Sequence, residues 1–112
     1  MAPRPAPPAV DRAAASRAAI AARRARAAVK REVAERRRTA LSVARAAWAK
    51  PEGAEARLLV RELLLSVPSL GPTRVESIMA ELAIAERKRV GGLGLKQRER
   101  LSNFLSSRQG PE

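Results

Sequence analysis

Residues 63–94 read LLLSVPSLGPTRVESIMAELAIAERKRVGGLG, and the fold turns on this stretch. It continues an apolar run that begins upstream: Leu58, Leu59, Val60, Leu63, Leu64, Leu65 and Val67 leave only a narrow polar strip at Arg57, Arg61 and Glu62. A helix over about 55–66 with so little polar surface belongs at the centre of a core. Pro68-Ser69-Leu70-Gly71-Pro72 then forms a compact turn, with Pro72 at the start of the next helix, where a missing N–H is tolerated. Val75, Ile78, Met79 and Leu82 recur at i, i+3, i+4 and i+7, one face of a helix over about 72–82. Ala85 to Gly94 reads as a basic loop, Arg87-Lys88-Arg89 closed by Gly91-Gly92-Leu93-Gly94. A last helix over about 95–107 turns Leu101, Phe104 and Leu105 inward. No segment alternates with period two, so the fold class is all-α.

Upstream, Thr39 is placed to cap a helix over about 40–49 that carries Leu41, Ala44 and Trp48 on one face, and Pro51-Glu52-Gly53 ends it. Ala and Arg dominate from Asp11 onward, and both are strong helix formers. The expectation is a long basic helix over about 11–37, with Asp11 capping its start and Glu32/Arg36 and Arg31/Glu35 pairing at i, i+4. Its large apolar residues are Ile20, Val29 and Val33, too few to suggest a core-forming face, so it is expected to stand in solvent with a frayed start. Removal of residues 1–37 should then leave a folded domain. Pro3, Pro5, Pro7 and Pro8 make residues 1–10 an extended, disordered tail. The expected organisation is tail 1–10, basic helix 11–38, a helical domain 39–107 and C-terminal tail 108–112.

Composition narrows the chemistry. The 112 residues carry 23 Lys plus Arg against 11 Asp plus Glu, a formal charge of +12, with no His and no Cys. Zinc, haem and iron-sulfur sites, thiol or Ser-His nucleophiles and disulfides are therefore excluded; no enzyme, cofactor or metal is expected. Thirteen of the bases and three of the acids fall in residues 1–50, so the N-terminal half is a polycation. Neither a secretory leader nor an apolar run of membrane-spanning length is present, which points to a soluble cytoplasmic protein facing a polyanion, DNA or RNA.

Three groups of residues are candidates for that contact. The turn Ser69, Leu70 and Gly71 leads into a helix start whose free amides and dipole suit a phosphate, with Arg74 in the first turn to add a charge. Lys88 and Arg89, then Gly92, Gly94 and Lys96, form a second group at a turn read as flexible. Arg23, Arg24, Arg26, Lys30 and Arg31 on the long helix form the third. Trp48 reads as core, with stacking on DNA the alternative, and with only Trp48 and Phe104 the chain lacks the aromatic platforms that hold single strands.

The quoted stretch resembles the actinobacterial integration host factor family of small basic nucleoid-associated proteins. Matching positions are Val60, Leu63, Leu64, Ser66, Pro68, Gly71, Arg74, Ile78, Met79, Leu82, Ile84, Arg89, Val90, Gly92, Leu93 and Gly94. The resemblance implies a long N-terminal helix, a helix-two-turns-helix motif, and a nucleoid role in chromosome compaction, phage integration or transcription. Ser69 stands where the family usually has Gly, Pro72 where it often has Lys or another donor, and Gly91 where it has a second Arg, so a divergent member is expected. The reading is architectural, weakly sequence-selective binding of double-stranded DNA by a protein monomeric when free, with two surfaces able to bridge DNA. Neither a membrane nor a small-molecule substrate is expected as a partner. The rivals are an RNA- or ribosome-associated basic protein, since a similar motif occurs in a small-subunit ribosomal protein, and a module binding an acidic protein.

Overall fold

Leu58 and Leu59 are where the backbone departs from the pattern of the sequence. The expected single helix over 55–66 is two: both leucines are extended, with φ/ψ of −63°/141° and −69°/144°. In that conformation they pair antiparallel with the basic segment, Val90 N–H donating to Leu58 O at 2.8 Å and Val60 N–H to Lys88 O at 2.9 Å. Glu62 Oε1 accepts the Leu59 amide at 3.0 Å, half of a capping box, and restarts the helix.

The computed structural model describes residues 9–109. Its elements are α1 (Ala9–Ala34), α2 (Ala40–Ala49), α3 (Ala54–Arg57), α4 (Val60–Ser66), α5 (Pro72–Glu81), a 3-10 turn (Val90–Gly92) and α6 (Leu95–Gln109). The proline-rich part of the expected N-terminal tail, 1–8, and residues 110–112 of the expected C-terminal tail lie outside the described residues. Thr39 caps α2 as expected, its Oγ1 accepting the Ser42 amide at 3.0 Å.

Around the kink at Leu58-Leu59 a single core closes. Leu58, Val60, Leu63, Leu64, Val43, Val75, Val90 and Leu101 are fully buried, drawing on α2, α4, α5, α6 and the basic segment. Phe104 is partly buried against it. Trp48 is half-buried: its Nε1 donates to Val90 O at 3.0 Å and Arg98 lies 5.5 Å from its ring centroid, so it ties α2 to the basic segment.

The long helix corrects the expectation that it lacks a core-forming face. Val29 and Val33 are buried, 6% and 3% exposed, and with half-buried Ala22 and Arg26 they make a stripe at spacings of 4, 3 and 4 that packs on α3 and α4. Lys30 Nζ reaches Glu62 Oε2 at 3.1 Å across the same contact. Burial alone would raise the Glu62 carboxyl; the Leu59 amide, the Lys30 ammonium and the field of Arg26 outweigh it and hold the carboxyl below its ordinary value.

Helix α1 begins at Ala9, so Asp11 lies in its first turn and not at a cap, and it ends at Ala34. Arg36 N–H donates to Val33 O at 3.0 Å and Arg37 N–H to Glu32 O at 2.9 Å, a Schellman closure with Arg36 at φ 63° where glycine is usual. This closure takes Arg36 off the helical register, and neither expected i, i+4 pair is among the ion pairs of the described residues. Arg38 instead bonds Glu55 at 3.1 Å and Arg37 bonds Glu35 at 2.6 Å. The molecule measures 61 × 30 × 27 Å, with a radius of gyration of 17.1 Å against about 13 Å for a compact chain of this length.

Candidate nucleic-acid interface

Between α4 and α5 the chain makes two consecutive i→i+3 turns. Val67 N–H donates to Leu64 O at 3.1 Å, and Leu70 N–H donates to Val67 O at 3.2 Å. In the second turn Pro68 occupies the position that favours proline, and Ser69, at φ 77°, the one that demands a positive φ and ordinarily glycine, as in a type II turn. The backbone reversal delivers the start of α5 to the surface. Leu70 is the anchor: its side chain is 5% exposed and its amide is used inside the turn, so it offers no free donor, contrary to its placement among the contact residues.

Gly71 is the N-cap of α5 at φ −85°, no side chain caps the helix, and a Cβ there would meet nothing within 4 Å. Neither its conformation nor its packing calls for glycine; the absent side chain leaves the helix start bare. Pro72 removes one amide, so the donors that remain are the amides of Gly71 at the N-cap and of Thr73 and Arg74 at the second and third helical positions. Thr73, a residue that sequence reasoning passed over, is marked only by following the proline. Arg74 is exposed beside them.

The segment 85–94, read as a flexible loop, is instead laced to the core. Besides its pairing with Leu58 and Val60, Lys88 N–H donates to Ala85 O at 3.0 Å and Gly92 N–H to Arg89 O at 2.9 Å, while Ile84, Val90 and Leu93 are buried. Gly91 packs so closely on α3 that a Cβ would fall 2.7 Å from Ala56 Cβ, which explains why no arginine stands there. Gly94 donates its amide to Gln97 Oε1 at 3.1 Å, so it, like Gly92, is satisfied within the protein. Arg89 and Lys96 are exposed and Lys88 is half-buried, its chain passing close to Gly92. Two further arginines, Arg98 and Arg100, donate to Leu93 O and Leu82 O at 3.1 and 2.9 Å and serve the fold.

The α1 cations separate by direction. Arg23, Arg24 and Arg31 are exposed; Arg26 and Lys30 are half-buried, with Lys30 held by Glu62. At 100° per residue Arg17, Arg24 and Arg31 form a stripe opposite Val29 and Val33, so they face away from the domain. The structure thus joins Ser69, Gly71 and Arg74 at one helix start, sets Lys88 and Arg89 on the bridged segment and Lys96 in the first turn of α6, and holds the α1 arginines apart. Among the described residues no cluster of acids suits a metal, and no helix is long and apolar enough to cross a membrane.

Comparison with known proteins bears on this geometry. A guanylate kinase of Leifsonia xyli subsp. xyli (strain CTCB07) is 49% identical over 55 residues, 49% of this chain; the chain spans about a fifth, 22%, of that relative's length. The solved structure of sIHF bound to an 8bp palindromic DNA superposes with a TM-score of 0.73 at 32% identity, covering 80% of this chain and 99% of that one. Residues 47–104, which hold both turns and the bridged segment, match the model of the S13-like H2TH domain. The chain belongs to the S13-like H2TH domain family, as an all-α, integration host factor-like helix-two-turns-helix protein.

Proposed function

We propose that the protein is an architectural, nucleoid-associated DNA-binding protein that holds duplex DNA by its phosphates with little base discrimination. The observation that carries this is the bare start of α5: an uncapped helix N-terminus with exposed Arg74, at a glycine that the fold does not require. A phosphate there accepts the Thr73 and Arg74 amides and the arginine charge together. Arg89 and Lys96, with Lys88, supply a second contact, and Arg24 and Arg31 on the outer side of α1, with exposed Arg23 on its flank, a third. Ser69 shapes the first contact; Leu70, Gly92 and Gly94 hold the turns, and Arg26 and Lys30 fasten α1. A name of guanylate kinase belongs to a much longer protein, and this chain has no G-x-x-x-x-G-K-[ST] phosphate loop with which to transfer a phosphoryl group.

The test is a salt titration of duplex affinity. With about 4 to 6 phosphates neutralised, log K should fall against log salt with a slope of roughly −4 to −5; a slope near −1, or a preference of more than about a thousandfold for one sequence, sinks the reading. Gly71→Asp sharpens it. A carboxylate at this position caps α5 and stabilises the fold by about 0.3 to 1 kcal/mol, yet repels phosphate, so melting should rise while affinity drops at least tenfold. Competition by structured RNA at equal affinity would favour the ribosome-associated alternative.

A further inference from the structure

A cavity of about 260 Å³ opens beside the second turn, where three separate stretches of the chain meet: the α1–α2 junction, the segment Val67–Ser69 and the last turn of α6. Its floor is apolar, with Val33, Val67 and Leu105, and its rim carries Arg36, Arg38, Ser69 and Arg108. Arg38 is committed to Glu55 and Glu32. Arg36 is exposed and takes part in none of the ion pairs of the described residues; the Schellman closure of α1 sets its backbone at this rim. Arg108 Nη2 donates to Ser69 Oγ at 2.9 Å, which pins its guanidinium over the turn and leaves its other N–H groups for a further acceptor. Both arginines lie outside residues 47–104, the part that matches the family model.

From this convergence we infer that Arg36 and Arg108 form a two-cation clamp on a sugar-phosphate, continuous with the helix start at Gly71, so that the α1–α2 junction is part of the turn's binding surface. This rests on the duplex-binding reading above and extends it. An apolar floor under a cationic rim suits a sugar-phosphate unit: the carbon face of the sugar lies on Leu105 and Val67, and the anionic oxygens meet the guanidinium groups. The source of that unit is the duplex backbone, since Ser69 belongs both to this rim and to the turn that ends at Gly71. Arg38 is excluded from the clamp, because its acidic partners already satisfy it.

The experiment compares the full chain with the Arg36→Gln/Arg108→Gln and Arg36→Lys/Arg108→Lys variants in duplex titrations over a salt series, with thermal melting alongside. The expected result is unchanged melting, a slope less negative by about 0.9 in the glutamine pair, since the clamp holds one phosphate and each phosphate contact contributes about that much, and recovery of most of that slope in the lysine pair. Wild-type binding with its steep slope retained in the glutamine pair overturns the clamp and leaves the duplex reading standing. Absence of duplex binding by the wild-type chain removes both. Titration with a deoxynucleoside monophosphate is the third arm: saturable binding that the glutamine pair loses, with duplex affinity untouched, overturns the duplex source and assigns the cavity to a free nucleotide.

Discussion

Ser69 concentrates the tension between fold and site. Its position in the second turn demands a positive φ, and an L-residue there gives up about 1 to 2 kcal/mol that glycine does not; glycine in turn makes the unfolded chain more flexible, by about 0.5 to 1 kcal/mol. Ser69→Gly should therefore stabilise the domain by no more than about 1.5 kcal/mol, a rise in melting temperature of a few degrees by calorimetry. It also removes the hydroxyl that holds Arg108, so that gain should come with weaker duplex binding; a stabilised variant binding as tightly as wild type would show that the strain serves nothing at this site. The glycine missing at Ser69 was legible in the sequence as a departure from the family pattern. The strain and its use by an arginine 39 residues away were not, because no local pattern encodes that approach.

At the scale of elements, helices whose partners are close in sequence were legible. The spacing of Val75, Ile78, Met79 and Leu82 and the Thr39 cap place α5 and α2 to within a residue. The break at Leu58-Leu59 was not, since both leucines fit a helical apolar face and only the distant Lys88–Val90 backbone draws them into extended pairing. Likewise Val29 and Val33 amount to a core face only because α3 and α4 lie beneath them. The tie across that contact is titratable. With its folded-state value below the unfolded one, Glu62 adds stability that is complete above the ordinary glutamate range near roughly pH 4.3 and is lost as the pH falls through it. Glu62→Gln should melt below the wild type at pH 7, with the gap narrowing below about pH 4; a gap constant from pH 7 to pH 3 would detach the effect from the carboxylate.

For the molecule as a whole, the basic N-terminal half and the helical domain are not separable at residue 37. Truncation of 1–37, expected from the sequence to spare the fold, removes Val29 and Val33, each worth about 1.5 to 3 kcal/mol of burial in a protein whose total stability is of the order of 5 to 15 kcal/mol. Truncation of residues 1–21 leaves the buried stripe intact and discards Arg4, Arg12 and Arg17. The shorter truncation should melt cooperatively near the full-length temperature, and the longer one well below it or without a transition. If the outward Arg17/Arg24/Arg31 stripe grips a second duplex, light scattering of protein with long DNA should also fall in the shorter truncation, while affinity for a short duplex falls only modestly.

The half-anchored α1 also has a thermal signature. Residues 11–21 are all exposed, so helix there is extended residue by residue from the packed end, which acts as a standing nucleus and spares the free end the initiation step that makes isolated helices rare. Such a segment unwinds gradually from its tip on warming, without a latent heat of its own. Helical circular dichroism should therefore slope downward well before the cooperative transition, and amide hydrogen exchange should slow progressively along α1, fastest near Asp11 and approaching the global rate at Val33.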